Sequence, residues 1–296
     1  MEVAPNGRTK RRRPRREDLP ADTLWHLEKA FKKQWKRYRK RLKRCQKKFS
    51  ARAIHASRVQ TRRLLATVEL LSGFLPAGRV KKMQRALKRH LDTFDGLRDT
   101  QVQLATVSRM GRTFPAARPF YTYLLEREER FSQESRKGIS HIRTERLAEW
   151  LAACRADVKA RRKSRSSRAA NALLWQAVER AYSQTKRAKE GIDAEHPKSI
   201  HLTRVAFKKF RYMVEALADY LPGANQPHRE AMRNYQTMMG NIQDAEVLLQ
   251  TLDNFLRKKE IKPEAGRRLR EELMRRRQWS IQVYLDAAEQ LHEFRE

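Results

Sequence analysis

An all-α fold is what this sequence predicts, and three observations predict it. From Leu24 to Phe49, and again in later runs, apolar residues recur three and four apart, the period of an amphipathic helix. No stretch sustains the period-two alternation of a half-buried strand. Pro and Gly punctuate the runs, at Leu75-Pro76-Ala77-Gly78, Asp95-Gly96, His196-Pro197 and Gly240-Asn241.

Residues 1–20 are rich in Pro, Gly and Arg, and the block Arg8 to Arg16 cannot build a core, so they read as a disordered arm. Three roles fit it: a nuclear localisation signal, a second grip on a polyanion, or a solvated tail. From Asp22 a long helix follows, with Leu24, Leu27, Phe31, Trp35, Tyr38, Leu42, Cys45 and Phe49 on its packing side. Its other faces carry Lys32, Lys33, Lys36, Arg37, Arg39, Lys40, Arg41, Lys43 and Arg44, most of which read as solvated charge.

A second helix is predicted over 50–74, ending at Pro76, and a third over 80–94. Asp99 has the character of an N-cap for a fourth. Pro115 and Pro119 bracket a linker, and helix resumes over 121–154. The basic, Ser-rich stretch 159–168 suits an interdomain connection. Helices are then predicted over 169–189, 198–221 and 227–239, and another opens near Asp244 after a turn at Gly240-Asn241. A last one, following Pro263, reaches the C-terminus.

One string appears twice. His55-Ala56-Ser57-Arg58-Val59-Gln60-Thr61-Arg62-Arg63 returns as His201-Leu202-Thr203-Arg204-Val205-Ala206-Phe207-Lys208-Lys209. The string (55 to 201), a Leu-Pro stop (76 to 222) and an Asp (99 to 244) recur in order, 146, 146 and 145 residues apart. The spacing predicts an internal duplication, with repeats at about 21–160 and 168–296 that can pack about a pseudo-two-fold axis.

Charge narrows the partner. There are 68 Lys plus Arg against 34 Asp plus Glu, a net +34, which calls for a polyanion. Cys45 and Cys154 form no metal-ligand spacing and no disulfide framework, so a reducing compartment is expected. No run of about 18 apolar residues predicts a membrane span, and there is no secretory signal core.

At helical spacing His55, Arg58 and Arg62 share one face over about 10 Å, as do His201, Arg204 and Lys208. Arg forks and Lys point charges in a row complement a row of phosphates. Arg211 and Tyr212 lengthen the second rail, where the first has Leu65 and Ala66, so the first is expected to grip less firmly. The histidines can donate to such an anion as imidazolium, or each can brace a neighbouring helix. Asp99 and Asp244 read first as helix caps and second as ion-pair partners. No P-loop, H-E-x-x-H, G-x-S-x-G or carboxylate cluster is present, so neither catalytic residues nor metal nor cofactor is expected.

The two His-x-x-Arg-Val strings, each with its Leu-Pro stop and an Arg-Asp or Gln-Asp helix start, resemble the CHAD family, the conserved-histidine α-helical domains. The likeness spans roughly residues 20–296. It implies two pseudo-symmetric four-helix bundles around a basic central channel that binds inorganic polyphosphate, often on polyphosphate granules in the cytoplasm. Carried over by position, the ligands would be His55, Arg58, Arg62, Arg63 and Arg98, then His201, Arg204, Lys208, Lys209 and Arg211. The first copy departs in having Asp95 where the second has Gly240, and the second has Gln243 where the first has Arg98. Many relatives also carry an N-terminal triphosphate-tunnel domain marked by E-x-E-x-K, a motif not found here, so a non-catalytic binder is expected. Nucleic acid is the alternative polyanion. Most aromatics, however, lie at packing positions rather than interleaved with bases for stacking.

Overall fold

The computed structural model describes residues 19–221, 224–258 and 263–295. Among the described residues there are ten α-helices and no strand, so the chain is all-α. In order they are α1 (Thr23–Lys47), α2 (Ala51–Leu70), α3 (Ala77–Asp92), α4 (Asp95–Val107), α5 (Ala117–Ser140), α6 (Glu145–Ser164), α7 (Ser167–Glu190), α8 (Lys198–Leu217), α9 (Gln226–Lys258) and α10 (Pro263–Asp286). Short 3-10 segments, Leu71–Phe74 and Ala288–Arg295, follow α2 and α10. No helix among them is long and apolar enough to cross a membrane.

Each run buries the stripe its spacing predicts. On α1, Leu24, Leu27, Phe31, Tyr38, Leu42 and Cys45 are buried, and Trp35 and Phe49 pack at the edge. Helix α2 opens on Ser50, whose hydroxyl accepts from the Ala53 N–H at 3.4 Å. Packed neighbours are α1 with α2, α2 with α3 and α4 with α5, then α7 with α8, α8 with α9 and α9 with α10. The two helices bearing the repeated string, α2 and α8, also pack on each other. One large core runs from Leu19 to Phe294 and draws on both halves, while a smaller one joins Leu104, Phe120 and Leu124 to Leu249, Phe255 and Leu269.

The structure differs from the sequence reading in several places, among them Asp95-Gly96, which opens α4 instead of forming a turn, and Pro119, which lies in the first turn of α5. Helix α6 continues to Ser164, so only Arg165 and Ser166 separate it from α7. The basic, Ser-rich composition there has helical causes: Arg161, Arg162 and Lys163 complement the C-terminal dipole of α6, and the Ser166 hydroxyl accepts from Ala169 N–H. The run 121–154 is two helices, α5 and α6. The Gln46 amide from α1 donates to the carbonyls of Ile139 and Ile142 at the end of α5, just past Gly138. Helix α9 passes through Gly240-Asn241 without a turn, and a Cβ at Gly240 would make only ordinary contact with Arg204, 3.7 Å from its Nε. Finally, Leu19 at the arm's end is buried, and its carbonyl accepts from Asn171 Nδ2 at 2.7 Å. The rest of the predicted arm, residues 1–18, and the second Leu-Pro stop at Pro222 lie outside the described residues.

Candidate anion-binding site

Packing α2 against α8 brings the two rails into one electrostatic neighbourhood. Arg58 and Arg62 from α2, and Arg204 and Lys208 from α8, are close enough to destabilise one another's charge. Helix α4 adds Asp95, Arg98 and Asp99 to this cluster, and α9 adds Gln243 and Asp244. The predicted positions are therefore gathered across the chain, but they are not equivalent.

Several are already occupied by the protein itself. Buried Arg58 donates through Nη1 to the Leu91 carbonyl and to Asp95 Oδ1, both at 3.0 Å. Arg98 grips Asp244 bidentately at 2.7 and 3.1 Å and also reaches Asp99 at 3.0 Å. Burial opposes its charge, but the hydrogen bonds and charges of Asp244 and Asp99 outweigh that and raise its pKa. Lys209 pairs with Glu69 of α2 at 2.7 Å. Arg211 is buried, donating to Gln236 Oε1 at 2.9 Å and to Glu215 Oε1 at 2.5 Å, and its guanidinium lies 4.2 Å from the Tyr212 ring centre.

Others are left with unmet capacity. The Nε atoms of Arg62 and Arg204 and the Nδ1 of His201 are buried without a hydrogen-bond partner. Burial, then the charges of Arg62, Arg204 and Arg58, pushes the Lys208 ammonium down to about 7. Burial likewise lowers His201 despite a hydrogen bond to Gln243, so without an anion beside it the ring is held toward its neutral form. Guanidinium groups do not lose their protons in proteins, so the depressed pKa of Arg204 records a charge held at a cost. Anionic oxygens here would relieve all three penalties at once.

Asp99 and Asp244 are not caps. Both lie inside helices, α4 starting at Asp95 after Phe94 and α9 running straight past Asp244, and both are ion-pair partners of Arg98. The partner that makes Asp244 useful sits 146 residues away, where local capping rules cannot see it. Glu69 and Glu215, also 146 apart, neutralise Lys209 and Arg211. Neither was singled out from sequence, although their recurrence at the repeat spacing was available there. Among the described residues no group of three His, Cys, Asp or Glu could hold a metal.

His55 is exposed in the first turn of α2. Arg63 and Tyr212 point elsewhere. They share a pocket of about 340 Å³ with Lys33, Arg37, Arg229 and Arg233.

Two solved structures have a similar fold. One is the crystal structure of the CHAD domain from the plant Ricinus communis, with a TM-score of 0.65 and 16% identity over 94% of this chain and 91% of that one. The other is PptA from Streptomyces chartreusis, with a TM-score of 0.62 and 15% identity over 93% and 99%. No curated protein matches the sequence. The sequence model of the CHAD domain matches residues 29–253. With an all-α fold, both solved likenesses and a family match over most of its length, the chain belongs to the CHAD domain family.

Proposed function

We propose that this protein is a non-catalytic binder of inorganic polyphosphate, which lies in a basic channel between α2 and α8. One observation carries the reading: Arg62 from α2 and Arg204 from α8 bring buried N–H donors with no partner to the same cluster, and His201 adds a buried ring nitrogen that becomes a donor when an anion protonates the ring. Buried N–H groups are rarely left unmet, and a run of phosphate oxygens from a linear polymer would meet several in sequence. Family membership makes inorganic polyphosphate the expected polymer. Binding of this kind suits recruitment to polyphosphate granules in the cytoplasm. Arg62, Lys208, Arg204 and His201 make the inner contacts, and His55 stands at the exposed end of the first rail.

The competing polyanion is nucleic acid, since a net charge of +34 attracts any phosphate backbone. Competition among long-chain polyphosphate, duplex DNA and RNA across a salt series decides between them. Polyphosphate should win at near-physiological salt, and equal or weaker binding than duplex DNA would overturn the reading. Replacing Arg58, Arg62, Arg204 and Lys208 together by Ala should abolish polyphosphate binding while the helical circular dichroism signal persists.

A further inference from the structure

The charged side chains of α1 are not all solvated surface. Arg37, Lys40, Arg41 and Arg44 fall at i, i+3, i+4 and i+7, so they form one stripe along the helix. With Gln60 and Arg63 of α2 they line a groove of about 420 Å³ that contains five cations, one amide and no carboxylate. None of these five makes an ion pair among the described residues.

Some exposed arginines elsewhere are paired with carboxylates. On α10, Arg268 pairs with Glu264, Arg270 with Asp253, and Arg275 and Arg276 with Glu272. What sets the groove apart is that five cations from two helices, unpaired among the described residues, line one concave surface with no carboxylate among them. It shares Arg37, Gln60 and Arg63 with the neighbouring pocket, which extends it past Tyr212 to Arg229 and Arg233, with Glu215 and Asp219 on its far side. Arg63 is turned about 100° around α2 from Arg62, so this groove opens on a different side of the helix from the rails.

We propose that the α1–α2 groove is a second phosphate track, which binds a further segment of a linear phosphate polymer on the outer face of the protein. This rests on the polyphosphate reading above. A chain long enough to leave the inner cluster would gain a second, tethered attachment, and short chains would not. Five of the six side chains lining the groove are cations and none is aromatic, so it recognises backbone phosphates by charge.

The test uses the full chain with Arg37, Lys40, Arg41 and Arg44 all changed to Gln, beside an Arg62→Gln/Lys208→Gln variant. Gln has similar helix propensity and the four sites are exposed, so the fold should persist, as circular dichroism will check. Titrated with long-chain sodium polyphosphate, the groove variant should bind at least tenfold more weakly than the parent. Its slope of log K against log salt should be shallower by roughly three, while tripolyphosphate binding is unchanged. An Arg41→Gln/Arg63→Gln pair, split between two helices, should give about half that change in slope. If the inner variant loses both ligands and the groove variant binds long chains like the parent, the second track is wrong and the inner site stands. A groove variant that loses only duplex DNA also overturns the track. If the parent binds no polyphosphate at all, both readings fall.

Discussion

Arg58 and Arg204 occupy the same place in the repeated string, 146 residues apart, yet their surroundings are opposite. Arg58 is met by a carboxylate, Asp95, and by the Leu91 carbonyl. Arg204 lies over Gly240, the residue that stands where the first copy has Asp95, and its Nε has no partner. One arginine is bound into the scaffold, while the other has a buried donor without a partner. The proposal that the first rail grips less firmly now rests on a different cause. Arg211, which was to make the second rail stronger, is tied to Glu215 and Gln236, so the difference rests on Asp95 against Gly240.

Exchanging the two arginines for alanine gives the largest expected contrast. Arg204→Ala should weaken polyphosphate binding roughly thirtyfold, since a charge-assisted hydrogen bond contributes about 2 kcal/mol. Its thermal midpoint should hold or rise as like-charge repulsion from Arg62 and Arg98 is removed. Arg58→Ala should do the reverse. It would leave the Leu91 carbonyl without its donor and remove a buried stem, lowering stability by about 1–2 kcal/mol, with binding changed less than about threefold. Isothermal titration and thermal melts on both variants measure this, and equal affinity losses would remove the distinction between the rails.

Moving the carboxylate tests the cause directly. A Cβ at Gly240 meets only ordinary contacts with Arg204, so Gly240→Asp fits and places an acid beneath the free guanidinium. Affinity should fall about tenfold, because the ligand must now displace an internal partner worth about 1.4 kcal/mol. Asp95→Asn should release Arg58 and strengthen binding by about threefold on the same energy scale. Gly240→Ala is the control, and a loss as large as that of Gly240→Asp would mean that bulk, not charge, matters at this position.

Much of this molecule is legible from its residues. The stripe of α1, the start of α2 at Ser50 and the pairing of the two His-x-x-Arg-Val strings depend on local period and recurrence, which a sequence displays. The break between α5 and α6 is harder to read: Gly138 and the Ser140 and His141 side chains on the Lys137 carbonyl mark it locally, but Gln46, which meets the carbonyls of Ile139 and Ile142, lies far off in the chain. Gly240 misleads because a glycine inside a helix carries the same local signal as one in a turn, and only the continuous packing of α9 settles which it is. At the site, residue types and spacing identify the cations, but their availability is decided by carboxylates on other elements. Asp244 takes Arg98, Glu69 takes Lys209, and nothing takes Arg62 Nε. The exception is Arg211, whose partner Glu215 is only four residues ahead and could have been read as an i, i+4 pair.

The last expected effect is a pH dependence, and it concerns the residue paired by position with Arg62. Lys208 is faced by Arg58 and Arg62 from α2, Asp95 from α4, and His201 and Arg204 on its own helix, with Arg98 and Asp244 just beyond. Burial and the arginines leave its pKa at about 7, well below the usual lysine value, so the amine is largely neutral by pH 8. An adjacent phosphate chain favours the charged form and raises that pKa, so binding above pH 7 takes up a proton. Affinity should therefore fall as pH rises, by about fivefold from pH 7 to pH 8, a window in which His201, itself lowered by burial, is already neutral and contributes nothing. Lys208→Arg keeps its charge throughout and should flatten the profile while retaining binding. A parent protein whose affinity does not change between pH 7 and 8 would mean that Lys208 stays charged or lies away from the ligand. Arg62, with its permanent charge, would then be the working member of the pair.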